Sequence, residues 1–325
     1  MRSYIKATGS YLPPKVLTNY DLERMVDTSD EWIKERTGIS ERRIVDENTA
    51  SSDLAYEAAK KVLEEVNLDP KDLELIIVAT ITPDMFFPST GCFVQEKLNA
   101  KNAAAFDISA ACSGFIYGIA IADQFIKNKI FKNALVIGAE TLSKVTDWQD
   151  RSSCILFGDA AGAVLMESTN EDRGILDYIL CSDGSYWELL NLPGGGSRYP
   201  ASYKTIENRM HYMKMRGNEV FKVAVRCMED VSLKILKRNN ITPENIRFFI
   251  PHQANIRIIK SVAKRLKIPM EKVYITIHKY GNTSAASIPV ALDEANRKGL
   301  LKKGDIILMS AFGGGFTWAS ALVKW

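Results

Sequence analysis

A chain of 325 residues is long enough for two domains or one large duplicated one, and 46% hydrophobic with 25% charged residues excludes a disordered protein. Its formal charge of +3, from 42 basic and 39 acidic residues, is too small for nucleic acid or a membrane surface to be drawn in by a global field. No apolar run reaches the roughly 18 residues of a membrane span.

In chain order, Met1 to Pro14 is interrupted by Arg2, Lys6, Gly9 and two prolines, so it lacks a secretory pattern. The five cysteines, at 92, 112, 154, 181 and 227, form no C-x-x-C pair. Free thiols in a reducing cytosol are the expectation, and with them a cytoplasmic location. Asp53 to Val66 reads as an amphipathic helix, followed by the strand within Asn67-Leu-Asp-Pro-Lys-Asp-Leu-Glu-Leu-Ile-Ile-Val-Ala-Thr80. The run from Ala105 to Phe115 starts as a strand and passes through small residues into a helix that is apolar over Phe115 to Phe125. Asn133 to Gly138 reads as another strand, and Glu167 to Arg173 as a polar seam.

Beyond the seam the same order returns. Glu219 to Arg238 is helical, and Asn240-Ile-Thr-Pro-Glu-Asn-Ile-Arg-Phe-Phe-Ile-Pro-His-Gln253 repeats the Asn, apolar, x, Pro, strand pattern, with Pro243 lying 173 positions after Pro70. Asp305 to Ser310 echoes Asn133 to Gly138, and the turn carrying Asn282 stands 170 positions after Cys112. Three matches in near register predict two like halves, 1–170 and 171–325, in a layered α/β architecture with sheets covered by helices.

Cys112 is the candidate nucleophile. Unpaired N–H groups and the positive end of a helix dipole at a helix start favour thiolate over thiol. Of the three histidines, His252 alone ends a repeated strand ahead of a polar loop, where layered sheets expose working groups, although a lone histidine also fits a satisfied structural role. Asn282, in Tyr-Gly-Asn-Thr-Ser-Ala-Ala286, is by itself an N-cap. Its relation to the Cys112 turn places it instead at the interface between halves. Ala311-Phe-Gly-Gly-Gly-Phe316 follows the last long strand, and adjacent glycines either make a simple turn or let backbone N–H groups approach a ligand oxygen.

Together these residues resemble the β-ketoacyl-acyl carrier protein synthase III family. The likeness rests on Ala-Ala-Cys-Ser-Gly-Phe115, Pro-His-Gln-Ala-Asn255, the Asn282 turn and the glycine run, and extends over the chain through Leu17-Thr-Asn, Thr28-Ser-Asp-Glu-Trp-Ile33, Arg36-Thr-Gly-Ile39, Phe157-Gly-Asp-Ala-Ala-Gly162 and Gly217-Asn-Glu-Val-Phe221. The resemblance implies the thiolase fold, a duplicated five-layered α-β-α-β-α arrangement of pseudo-twofold related halves, in a homodimer that starts fatty acid synthesis. It implies no cofactor and no metal, with acyl-CoA and malonyl-acyl carrier protein as substrates and acyl carrier protein as partner. Catalysis falls to Cys112, His252 and Asn282, and the oxyanion hole to the N–H groups of Cys112 and Gly314.

The same resemblance places Trp32 and Arg151 about the CoA adenine with Thr28 nearby, Asn255 on the pantetheine arm, and Gly217 and Phe221 along its tunnel. Trp32 and Arg36 are four apart, on one face of a helix, and an aromatic beside a guanidinium suits an adenine ring and phosphates. Phe87 matches the residue that crosses the dimer interface and limits acyl length. Arg257, Lys260 and Lys264 share a helical face, which reads either as solvated charge or as a dock for the acidic carrier protein. Thiolases carry a second cysteine before the glycine run to deprotonate acetyl-CoA; here that position is Ala311. Elongating condensing enzymes have histidine where this chain has Asn282. A cysteine hydrolase could also use Cys-His-Asn, but no papain-like signature surrounds Cys112.

Overall fold

Residues 2–325 are described in a computed structural model of the protein. The first sheet has five strands, in the order Arg2–Tyr11, Asp159–Thr169, Asn133–Thr141, Leu75–Ala79 and Ala104–Ile108. The second has four, Ile246–Pro251, Ile306–Gly313, Thr317–Lys324 and Gly174–Ser182. Pairing repeats between them: Leu75–Ala79 runs parallel to Asn133–Thr141 as Ile246–Pro251 does to Ile306–Gly313, and two antiparallel neighbours follow in each sheet. Ala104–Ile108 adds a further parallel strand, whose counterpart in the second half is a single parallel bridge between Phe249 and Val273. The first sheet thus draws on residues 2–169 and the second on 174–324. Of the polar run Glu167 to Arg173, the first three residues are still strand.

Helices fill three layers. Ser51–Val66 and Thr90–Leu98 cover the outer face of the first sheet, Gly217–Arg238 and Ile256–Arg265 that of the second, and Gly114–Lys127 and Ser287–Arg297 lie between the sheets. Side chains of Leu75–Ala79 alternate accordingly, with Leu75 and Ile77 in the central cluster and Ile76 and Val78 in the outer one. A strand buried on both faces has no polar side, which is why it reads as a continuous apolar run. The helix Gly114–Lys127 is apolar nearly all round for the same reason.

Both central helices begin at one kind of turn. A 3-10 turn, Ala111–Ser113, leads into Gly114–Lys127, and another, Ser284–Ala286, leads into Ser287–Arg297; each turn opens on a left-handed residue, Ala111 with φ 45° and Ser284 with φ 46°. The geometric counterpart of Cys112 is therefore Ala285, and Asn282 lies three residues ahead of it. This corrects the sequence alignment of Cys112 with Asn282, which matched chemistry-bearing residues and not backbone conformation. Each turn is pressed against a strand of the opposite half. A Cβ added to Gly138 would sit 2.3 Å from the Ala285 carbonyl oxygen, and one added to Gly313 would sit 2.5 Å from the Cys112 nitrogen.

Candidate active site

Cys112 sits in the first turn, buried where the two halves meet. Burial pushes its thiol up to about 12, opposed by the Ser284 hydroxyl beside it and reinforced by the nearby Glu140 carboxylate. The thiolate expected from a helix start is therefore not the resting form. Desolvation outweighs the helix dipole here, and the Cys112 turn precedes the α-helix, which begins at Gly114.

His252 follows the strand Ile246–Pro251 and stays on the sheet through its N–H, which donates to Ser310 O at 2.8 Å. Burial alone pulls the imidazole down to about 3, so the ring is neutral. Its Nδ1 is 2.7 Å from Ser287 Oγ. Asn282 is fixed by a parallel bridge to Phe157: its N–H donates to Leu156 O at 2.8 Å and its carbonyl accepts from Gly158 N at 3.0 Å. Its side-chain Oδ1 accepts from Ser284 N at 2.9 Å, which leaves the amide NH2 uncommitted. Each side chain thus has its inner atom tied, Asn282 by the second turn and His252 by the first residue of the helix that follows it, and its outer nitrogen free.

Cys112, His252, Asn282 and Gly314 line one cavity of about 840 Å³. Trp32, Arg36, Gly217, Phe221 and Asn255 line it too, so most of the residues expected to bind CoA are brought to the same space, and Arg257, expected at the carrier-protein dock, lines it with them. Ser29 caps the helix Asp30–Thr37, and on it Arg36 stands 5.9 Å from the Trp32 ring centre, with Arg151 at 4.5 Å from the same ring. Thr28 and Arg151 are outside the cavity lining, and the Thr28 hydroxyl is buried without a partner. Asn255 is the N-cap of Ile256–Arg265, accepting from Arg257 N at 2.8 Å while its amide donates to Arg36 O at 3.0 Å.

Arg257, Lys260 and Lys264 are exposed on that helix. Arg257 lies 5.6 Å from the Phe221 ring, and Lys264 lines a shallower neighbouring hollow with Lys222, Arg226 and Arg265. Lys260 lines neither. Phe87 is not brought to the cavity of its own chain: it stands 84% exposed at the tip Met85 to Phe87.

Sequence reasoning missed the residues behind the site. Glu140 ends a central strand fully buried, accepting from the hydroxyls of Thr82 at 2.6 Å and Thr80 at 3.2 Å and from Ile81 N. Burial raises its carboxyl to about 7. Ser284 Oγ lies beside both Cys112 and Glu140 but makes no well-formed hydrogen bond to either. Gln253 pins the strand end, its Oε1 accepting from Thr276 and Ile277 N and its Nε2 donating to Pro251 and Tyr274 O. The wall formed by Leu190 to Leu192, Met213 and Met215 comes from a short antiparallel ribbon, Leu190–Asn191 paired with Lys214–Met215, and its flanks, none of which carries a motif. A buried polar residue next to a nucleophile's turn is a signal only once the turn is placed. Among the described residues, no group of three or more His, Cys, Asp or Glu could hold a metal, and no helix is long and apolar enough to cross a membrane.

A thiol, an imidazole and an amide gathered at a pseudo-twofold junction, with buried Ala311 where a second cysteine would supply a base, define a thiolase-fold condensing enzyme. Residues 106–184 match the family model described as 3-Oxoacyl-[acyl-carrier-protein (ACP)] synthase III, and 236–325 match its C-terminal model. A relative from Caldanaerobacter subterraneus subsp. tengcongensis, named beta-ketoacyl-[acyl-carrier-protein] synthase III, is 60% identical over 99% of this chain and 97% of its own. A protein of the same name from Desulfitobacterium hafniense is 55% identical over 99% of this chain and 97% of its own. The crystal structure of 3-oxoacyl-[acyl-carrier-protein] synthase III from Aquifex aeolicus superposes with a TM-score of 0.92 at 53% identity, covering 99% of this chain and 100% of that one. The chain belongs to the β-ketoacyl-[acyl-carrier-protein] synthase III family.

Proposed function

We propose that the protein initiates type II fatty acid synthesis by a two-step condensation, with Cys112 as the acyl carrier. In the first step the Cys112 sulfur attacks the thioester carbon of an acyl-CoA, the carbon–sulfur bond to CoA breaks, and the thiol proton ends on the CoA sulfur. The N–H groups of Cys112 and Gly314 hold the oxyanion that forms between. In the second, malonyl-acyl carrier protein loses carbon dioxide, and the enolate oxygen is held by the free nitrogens of His252 and Asn282. The enolate carbon then attacks acyl-Cys112, giving 3-oxoacyl-acyl carrier protein and free Cys112.

One observation carries this reading: a cavity joins a buried thiol to two side chains whose outer nitrogens are uncommitted, and Cys112 is the one cysteine among the described residues lining it. Without a second thiol to abstract a proton, decarboxylation is the route by which such a site makes its nucleophile. The division at 170–171, a cytoplasmic location and a homodimer belong to the same reading. The dimer is supported by the exposed apolar tip Met85, Phe86 and Phe87, from which Phe87 would limit acyl length in the partner's cavity. CoA would thread between Trp32, Arg36 and Arg151 at the mouth, with Thr28 nearby, and past Gly217, Phe221 and Asn255. Carrier protein would dock on Arg257, Lys260 and Lys264.

Incubation with a panel of acyl-CoAs, followed by intact-mass spectrometry, is expected to add one acyl group to the wild type and none to Cys112→Ala. No adduct on the wild type with any acyl-CoA would sink the mechanism.

A further inference from the structure

We propose that Ser287 is a positioning residue that holds His252 in the tautomer carrying its proton on Nε2, the atom that faces the cavity. The inference rests on the reading of His252 as an enolate donor and explains how a neutral ring is kept ready for that role.

Ser287 opens the central helix Ser287–Arg297 and is buried, and His252 is buried against it. A serine hydroxyl has one proton to give and lone pairs to receive. Ser287 Oγ receives the N–H of Gln253 at 3.4 Å, and His252 Nδ1 lies 2.7 Å away. Among the described residues no other acceptor takes the Ser287 proton, and an unsatisfied buried hydroxyl is costly. The proton therefore goes to Nδ1. A neutral imidazole whose Nδ1 accepts must be protonated at Nε2.

The chemical consequence separates the two half-reactions. An Nε2–H donates to an enolate oxygen. It cannot at the same time take a proton from Cys112, so His252 serves the condensation and not the acylation. The opposite tautomer would turn an Nε2 lone pair toward the developing negative charge. Asn282 is held in the same way, its Oδ1 occupied by Ser284 N so that the NH2 end is presented. Two residues of the Ser284 to Ser287 segment thus orient both donors.

The test combines a spectrum with separated half-reactions on the full-length protein. With 15N-labelled histidine, wild-type His252 is expected to give the Nε2–H pattern, identified against His252→Gln, and Ser287→Ala a mixture of tautomers. Ser287→Ala should change Cys112 acylation, followed by intact mass with acetyl-CoA, by less than about threefold. It should slow malonyl decarboxylation about ten- to a hundredfold, less than the 10²–10³ expected for loss of an oxyanion donor. Ser287→Thr restores a hydroxyl and should recover most of the rate, with melting temperatures guarding against a fold defect. An unchanged Nε2–H spectrum in Ser287→Ala, or equal losses in both half-reactions without rescue by threonine, would overturn the proposal. If His252→Gln instead abolishes acylation and spares decarboxylation, the assignment of His252 as enolate donor fails, while the spectrum still reports the Ser287 bond.

Discussion

The two turns at the heart of the molecule have the same backbone and opposite chemistry. Ala111–Ser113 and Ser284–Ala286 each open on a left-handed residue and lead into a central helix, yet the first presents Cys112 and the second presents Ala285 at the matching place. The second turn and the first residue of the helix it leads into instead supply polar groups, with Ser284 N holding Asn282 and Ser287 Oγ holding His252. The two like turns form a symmetric cradle, with the proposed nucleophile in one half and the proposed donors in the other. A reaction with a covalent step and a charge-developing step gains from that division, since each half can be tuned without displacing the other.

Removing the first turn's chemistry is the largest perturbation. Cys112→Ala should abolish acyl-enzyme formation, a loss on the order of 10³-fold or more in turnover, while malonyl decarboxylation persists because the second half is untouched. Loss of both reactions together in a folded variant would show that the halves are not separable. The reciprocal change, Asn282→Ala, should leave acylation within a few fold and cut decarboxylation about 10²–10³-fold, as read by carbon dioxide release.

Buried titratable groups give the comparison a pH signature. Glu140 in the first half rests near 7, above its ordinary 4.5, and His252 in the second near 3, below its ordinary 6.5. Between pH 4.5 and 7 the folded protein keeps a proton on Glu140 that the unfolded chain has released, so that group makes stability fall as pH rises. Between 6.5 and 3 the unfolded chain protonates His252 and the folded protein does not, so that group makes stability fall as pH falls. The two slopes oppose one another where they overlap. Glu140→Gln should remove the first, on the order of 3 kcal/mol across its window. Urea unfolding at intervals from pH 4.5 to 7 should then show stability rising with pH more steeply than in the wild type; identical slopes would contradict the buried-acid assignment.

The contact between halves can be strained directly. Gly138→Ala would force a Cβ to within 2.3 Å of the Ala285 carbonyl, displacing the second turn but not the first. Overpacking of this kind costs about 1–3 kcal/mol. A lowered melting temperature is expected, with decarboxylation impaired more than acylation; a variant as stable as the wild type would mean that the turns are not in rigid contact.

Much of this was legible in the chain. Alternating apolar strands and helices, and the spacing of Pro70 and Pro243, carry the duplicated architecture because a strand buried on both faces leaves an unbroken apolar run. Cys112, His252 and Asn282 stood out by residue type at strand ends and turns. What sequence could not supply was conformation and environment. The left-handed φ of Ala111 and Ser284 sets the true register of the repeat, and no residue preference announces it, since neither is glycine. The protonated state of Cys112 follows from burial against the strand Ile306–Gly313 of the other half, not from its neighbours in the chain. Ser287 and Glu140 are ordinary residues until the fold puts them against the site.

The smallest effect expected lies at the rim, where the first half supplies an aromatic ring with two guanidinium groups and the second a row of exposed cations. Ile256–Arg265 buries Ile258, Ile259, Val262 and Ala263 against the second sheet and turns Arg257, Lys260 and Lys264 outward beside the cavity. Arg257 alone of these three lines the cavity and lies 5.6 Å from the Phe221 ring. Exposed charges contribute little to stability, about 0–1 kcal/mol per pair, but steer an acidic partner toward its site. Arg257→Glu should therefore leave melting unchanged and raise KM for malonyl-acyl carrier protein severalfold, with the effect shrinking as salt is added. KM for acyl-CoA should move less, because the aromatic and guanidinium groups at the mouth are supplied by Trp32, Arg36 and Arg151 of the first half. Equal rises for both substrates would place Arg257 in the CoA path and take the docking surface away from this helix.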